Sequence, residues 1–168
     1  MERLNEVLDQ ESELYEELLK VSRSKTPVIV QENLEELTRI TGEEQALVDR
    51  LANLDISRAS IMEEVAGILN TDPEGLKLDM LVRALEKRPT EQRKLAEAAE
   101  RLGSVAKQVR NVNFQNKELI DSALEMIEFE MNILQSARRA PETANYSKDA
   151  YSTGDVLGTG SGKFDAKQ

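Results

Sequence analysis

The sequence has no cysteine, no histidine and no tryptophan, and its only aromatic residues are three tyrosines and three phenylalanines among 168 residues. Without cysteine and histidine, the usual ligand sets for zinc, iron–sulfur clusters and haem are missing. Neither a Cys–His nor a Ser–His–Asp nucleophile system can be built. Disulfides are impossible, which fits a reducing cytoplasm. We therefore expect a cytoplasmic protein that is not an enzyme and that holds no metal and no cofactor.

Positive charge and long apolar runs are also scarce. The chain has 22 Lys and Arg against 32 Asp and Glu, so its net charge is −10. Such a charge argues against a nucleic acid or an anionic membrane as the main partner. The first thirteen residues lack the apolar core of a signal peptide. No run of 18 apolar residues occurs, so we expect no membrane insertion.

Helical periodicity dominates what is present. Apolar residues recur at alternating spacings of three and four in three series, which cover residues 4–21, 37–68 and 95–137. The third series continues for six heptads without a skip, which is typical of coiled-coil packing. With so few aromatic residues, the core has to be aliphatic. The fold class is therefore all-α, an elongated antiparallel helical hairpin or bundle with coiled-coil-like packing.

The breaks in this pattern divide the chain. The register of the first two series shifts around Pro27, and an interior proline removes a helical hydrogen bond, so we expect a kink or short break at 24–30. The predicted helices of a domain over 1–138 cover residues 2–24, 30–69, 76–87 and 91–138. Two long helices leave their seam half covered. Either the first segment folds back at Pro27 to make three helices, or the chain pairs with another copy as a homodimer.

The last thirty residues, 139–168, differ from the rest. They hold equal numbers of acidic and basic residues, so the whole net charge lies in residues 1–138. They also contain four of the eight glycines and three of the six aromatic residues. This composition predicts a disordered tail.

Four charged residues occupy seam positions, namely Glu11, Glu44, Arg58 and Glu130. Polar residues in a seam can set the register of neighbouring helices, or lie at the edge of the bundle. They can also mark where the seam is open and receives a partner. Both interpretations stay open at this point.

The apolar stripe widens within residues 113–134. Leu119 belongs to the seam, and Ile120, Leu124 and Ile127 lie beside it. A broader stripe is expected where a bundle is better packed. It is equally expected of a groove or ridge for another amphipathic helix.

Two motifs resemble the FlgN family of flagellar export chaperones. The early motif reads Glu44-Gln45-Ala46-Leu47 and continues through Leu54 to Arg58. The late motif, of the form N-x-x-N-x-x-L-I, reads Asn113-Phe114-Gln115-Asn116-Lys117-Glu118-Leu119-Ile120. The resemblance covers about residues 1–135.

The resemblance implies a function. Family members bind the C-terminal helical segments of the hook–filament junction proteins FlgK and FlgL, keep them unassembled and deliver them to the export gate of the flagellar export apparatus. The client-binding residues that it implies are Asn113, Asn116, Leu119 and Ile120 by direct match, with Leu124, Ile127 and Ile133 added by helical spacing.

The tail offers a second contact. Tyr146 and Tyr151 are isolated aromatic residues in a neutral stretch, which suits a short motif for docking to the export gate. The alternative is an inert solubilising tail. For the whole chain, the alternative function is a generic self-associating coiled-coil adaptor or scaffold. Which client is preferred, and whether a client adds to the bundle or displaces a helix, the residues leave open.

Overall fold

The computed structural model describes the backbone of residues 1–139 and the side chains of residues 1–138. Four helices follow one another in this part of the chain: α1 (Glu2–Val30), α2 (Leu34–Leu69), α3 (Leu78–Ala84) and α4 (Pro89–Arg139). The chain divides into two compact units, Met1–Glu128 and a second that begins at Phe129. The all-α class is confirmed. The predicted tail, apart from Arg139, lies outside the described residues.

The first unit is a bundle of three long helices, α1, α2 and α4, and the short α3 packs against one of its two cores. Hydrogen bonds join the start of α1 to the end of α2, and the end of α1 to the start of α2. Arg3 donates to Glu64 near one end of the pair, and Ser22 donates to Glu44 near the other. The two helices are therefore antiparallel. α1 and α4 are parallel, because Arg101 donates to Glu16 and, further along both helices, Arg23 donates to Gln108. The first segment thus folds back to make three helices, one of the two arrangements that the sequence left open.

Two aliphatic cores hold these helices together. The first core joins all four helices at the end where α1 begins, and its buried members are Leu4, Leu8, Ile61, Ala66, Leu76, Leu81, Leu95 and Ala98. The second core joins α1, α2 and α4 further along, and its buried members are Leu14, Leu18, Leu19, Leu47, Leu51, Val105 and Val109. Neither core contains a buried aromatic residue, as the composition predicts.

The predicted break at 24–30 is wrong in position. Pro27 lies inside the last turn of α1, and the helix continues to Val30. Ile29, beyond the proline, is 5% exposed. Its burial stabilises the continued helix and offsets the one hydrogen bond that the proline removes. The backbone N–H of Gln31 still donates to the carbonyl of Pro27 at 3.0 Å.

The chain reverses instead at residues 31–33. Glu32 has φ 54°, in the left-handed region, which ends α1. Asn33 is the N-cap of α2, and its side-chain oxygen accepts a hydrogen bond from the N–H of Glu36 at 3.1 Å. Glu35 and Glu36 in the first turn complement the helix dipole. Local capping signals, rather than the proline, decide where the turn falls.

The remaining boundaries differ less from those predicted. α2 ends at Leu69 as expected, with Asn70 in the left-handed conformation at φ 52°. α3 spans seven residues, shorter than the predicted 76–87. α4 begins at Pro89, where a missing N–H costs nothing because the first N–H groups of a helix have no helical partner.

Candidate functional site

Most of the large exposed apolar residues of α4 in the described part of the chain lie from Leu124 onward, and Phe114 is a further one. Within the first unit, Leu119 and Ile120 are half-buried, whereas Leu124 is 54% exposed and Ile127 is 46% exposed. Ile120, Leu124 and Ile127 are spaced four and three residues apart, so they form one line on the helix, called here the α4 row. Met126 is exposed as well. The α4 row is a candidate binding surface.

The second unit shows the same character in its described part. Ile133 is half-exposed, and Phe129, Met131 and Leu134 are each more than half exposed. Every side chain described there, from Phe129 to Arg138, is exposed, including Glu130. Ile133 is therefore accessible, as the client-binding prediction requires. Among these residues, the sequence prediction did not name Phe129, Met131 or Leu134 as contacts.

The two asparagines of the late motif have different environments. Asn113 is exposed, whereas Asn116 is 3% exposed. The Asn116 amide nitrogen donates to the backbone carbonyl of Ser22 at 2.8 Å, and its amide oxygen accepts from the Thr26 hydroxyl at 2.7 Å. Asn116 thus fastens α4 to α1. Its contact with a client stays a prediction, and such a contact would have to break these bonds.

Three of the four charged seam residues form interhelical ion pairs. Glu11 is 3% exposed and accepts a hydrogen bond from the Arg58 guanidinium at 3.0 Å. Arg58 also binds Asp55 on its own helix. Glu44 accepts from Ser22 at 2.7 Å and from the Lys25 ammonium at 2.8 Å.

These pairs support the role of setting register, and Glu11 and Arg58 also line the open furrow described below. The Glu11–Arg58 pair lies between the two aliphatic cores in sequence position on both helices. Burial raises the pKa of Glu11, and the attraction and hydrogen bond of Arg58 offset part of that rise. A pair with a buried carboxylate penalises any shift of α1 along α2, because a shift would leave Glu11 without its partner.

In the first unit, the exposed segment of α4 is acidic on the side that faces away from the α4 row. Glu118, Asp121, Glu125 and Glu128 occupy this stretch, and Lys117 is its one basic residue. Lys117 donates to Asp121, and this hydrogen bond raises the pKa of Lys117. Charge on one face and aliphatic residues on the other make an amphipathic surface.

A furrow in the first unit was not predicted from the sequence. It has a volume of about 650 Å³ and lies between α2 and α4, with α1 as its floor. Its lining includes Tyr15 of α1, Val48 and Ala52 of α2, and Gly103 and Ala106 of α4. The signal that could have indicated it is the run of small residues at helical spacing on α4.

Other features restrict the chemistry within the described residues. Over residues 1–138, no group of three or more acidic side chains is arranged to hold a metal ion. None of the described helices is both long and apolar enough to span a membrane. The predicted gate-docking residues Tyr146 and Tyr151 lie outside the described part of the chain.

Comparison with known proteins identifies one family. A family model described as FlgN protein matches residues 1–153. Comparisons with curated proteins and with solved structures find no match.

Removing Arg58 tests the ion pair. Arg58→Met leaves the buried Glu11 carboxylate without its main partner, and we expect a loss of about 2 kcal/mol in unfolding free energy at pH 7. The variant raises the folded-state pKa of Glu11 further above its unfolded value. The folded state then binds the proton more tightly, so the loss shrinks as the pH falls toward 5. Urea denaturation of both proteins at pH 7 and pH 5 measures it.

The matched control is Arg3→Met, which breaks an exposed pair with Glu64. It should change stability by no more than about 0.5 kcal/mol at either pH. A loss for Arg58→Met that is equal at both pH values, or larger at pH 5, contradicts the assigned role of Glu11.

Truncating Asn116 tests the fastening of α4. Asn116→Ala leaves the Ser22 carbonyl and the Thr26 hydroxyl without their buried partner, which should cost about 1–3 kcal/mol. Thermal or urea denaturation measures the loss, and hydrogen exchange should quicken in α4 around residue 116. Gln115→Ala, at a neighbouring exposed position, serves as the control. Equal stability of the two variants would rule out this role.

Proposed function

The chain belongs to the FlgN family of flagellar export chaperones, and we propose that its clients are the hook–filament junction proteins FlgK and FlgL. In this proposal the protein works in the cytoplasm. It binds the C-terminal helical segments of the clients, keeps them unassembled and delivers them to the export gate.

The observation that carries the proposal is the exposed α4 row. Leu124 and Ile127 are about half exposed on a helix that is otherwise anchored by a buried asparagine. Water-exposed aliphatic side chains in a line are costly unless a partner covers them. An amphipathic client helix can pack its apolar face on this row, with contacts at spacings of three and four residues.

The chemistry of the row suits reversible binding. Its members are Leu and Ile, and Met126 lies beside them, so burial provides non-directional hydrophobic stabilisation of about 25 cal/mol per Å². Large Trp or Tyr anchors, which commonly make the tightest hot spots, are missing from this segment. A client segment that orders on binding also loses part of the interaction energy to that ordering. A chaperone has to release its client, and both properties favour release.

The members of the late motif then take separate roles. Leu119 and Ile120 are half-buried beside the bundle, and Asn113 is accessible. We assign Ile120, Leu124 and Ile127 to direct client contact, with Asn113 and Leu119 at its margin. Ile133 is a further contact in the second unit. Asn116 acts through the position of α4, unless a client displaces its bonds to α1.

The competing function is a self-associating coiled-coil adaptor. It uses the same exposed aliphatic residues, but with a second copy as the partner. Sedimentation with and without FlgK and FlgL peptides separates the two. A tight dimer that ignores the peptides supports the adaptor, and a monomer or weak dimer that becomes a 1:1 complex supports the chaperone.

Charge in the α4 row should abolish client binding. Ile127→Asp places a carboxylate where the client's apolar face packs, and we expect at least a tenfold loss of affinity, about 1.4 kcal/mol or more. Titration calorimetry with synthetic C-terminal peptides of FlgK and FlgL measures the effect.

The matched control for this variant is Ile68→Asp on α2. Ile68 is 84% exposed, so the same substitution there should leave both the fold and the affinity unchanged. Circular dichroism verifies that helicity is kept in both variants. If Ile127→Asp binds the peptides as tightly as Ile68→Asp does, the α4 row is not the client site.

The tail carries the proposed contact with the export gate. Deleting residues 140–168 removes Tyr146 and Tyr151, and we expect client binding to persist while the purified complex no longer binds the export gate. Pull-down with the gate component, in the presence of client, measures this. Substituting both tyrosines by alanine in the full chain separates their role from that of tail length. Undiminished gate binding by the deletion would argue for an inert tail.

A further inference from the structure

The furrow and the α4 row lie on one face of α4. Leu102, Ala106, Val109 and Asn113 line the furrow at spacings of four, three and four residues. Ile120 follows Asn113 by seven residues, which is close to two helical turns, and therefore shares its face. From Leu102 to Ile127 this face extends for about 38 Å at 1.5 Å per residue.

The furrow differs from the α4 row in having walls. Val48 and Ala52 of α2 face Gly103 and Ala106 of α4, and Val48 is 44% exposed. Small side chains on both walls leave a space of about 650 Å³ that large aliphatic side chains can enter. A Cβ atom added at Gly103 meets nothing within 4 Å. The bundle thus has an open apolar position for a fourth helix.

The lining of the furrow has an excess of negative charge. Buried Glu11 of α1 and exposed Asp55 of α2 both line it, and Arg58 of α2 pairs with each of them. Two carboxylates against one guanidinium leave one net negative charge at the side of the furrow where Asp55 is open to solvent. A helix that fills the furrow is complementary when it brings one Lys or Arg to this point.

We propose that the furrow receives the same client helix that binds the α4 row, so that the client lies along α4 from Leu102 to Ile127. The inference rests on the proposed chaperone function and extends it. The client segment is an amphipathic helix with large aliphatic residues at spacings of three and four, and with a basic residue opposite Glu11 and Asp55. It adds to the three-helix bundle as a fourth helix and displaces none of the three.

Filling the furrow tests this inference. Gly103→Leu places a large side chain in the space for the client, and the open surroundings of Gly103 allow the bundle to accept it. We expect at least a tenfold weaker affinity for the FlgK and FlgL C-terminal peptides, since overfilling a packed contact is costly. Gly42→Leu is the matched control, because Gly42 also has nothing within 4 Å and does not line the furrow. Both variants replace a helical glycine, so both should keep their thermal stability.

Protection of a single cysteine gives a second measurement. The chain has no cysteine of its own, so Ala106→Cys and Gly42→Cys each provide one reactive thiol. Saturating client peptide should slow alkylation at position 106 at least tenfold and leave position 42 unchanged.

The outcomes separate this inference from the proposed function. Wild-type affinity of Gly103→Leu, together with lost binding by Ile127→Asp, overturns the furrow and keeps the chaperone. Failure of the wild-type protein to bind either peptide overturns both. Slower alkylation of Ala106→Cys at rising protein concentration without peptide assigns the furrow to a second copy and overturns the inference. Weakened binding by Gly103→Leu but not Gly42→Leu supports it.

Discussion

The ion pair between Glu11 and Arg58 determines how α1 and α2 align. Rows of leucine, isoleucine and valine pack almost equally well when one helix slides by a heptad, so aliphatic cores alone leave register weakly specified. A carboxylate that is 3% exposed has no such freedom, because every other register leaves it desolvated without its guanidinium. Between α1 and α4, Asn116 has the corresponding role, because its amide is hydrogen-bonded to Ser22 and Thr26.

The hydrogen bonds of Asn116 also mark how far along α4 the burial extends. Asn116 is the last buried residue of α4 among those described, and from Leu124 onward its described side chains are exposed. Aliphatic residues that would complete a core elsewhere are here available to a partner. Offering an apolar face to a partner requires only that the rest of the bundle hold that face exposed. The FlgN family assignment fits that physical role.

The sequence predicted the elements better than their connections. Heptad spacing indicated the long helices because the period of 3.6 residues is a local property. The break predicted at Pro27 was wrong for a physical reason. The sequence reveals that a proline removes one helical hydrogen bond, but it does not reveal that Ile29, beyond the proline, is buried. The late motif lies on α4, as predicted. Asn116 was assigned to client contact by its match to this motif, and a motif match gives no information about burial. The structure shows that the Asn116 amide is hydrogen-bonded to α1.

Composition and periodicity alone determined the all-α class, the aliphatic core and the missing ligand and nucleophile chemistry. They also carried the resemblance to the family, since motif and composition are both properties of the chain. The tertiary structure decided that three helices pack together, that the turn falls at residues 31–33, and that a furrow opens between α2 and α4. These features depend on contacts between residues far apart in sequence, such as Ser22 with Asn116. The heptad spacing of apolar residues within one helix does not specify such pairs, because many relative alignments of two helices are compatible with the same spacing.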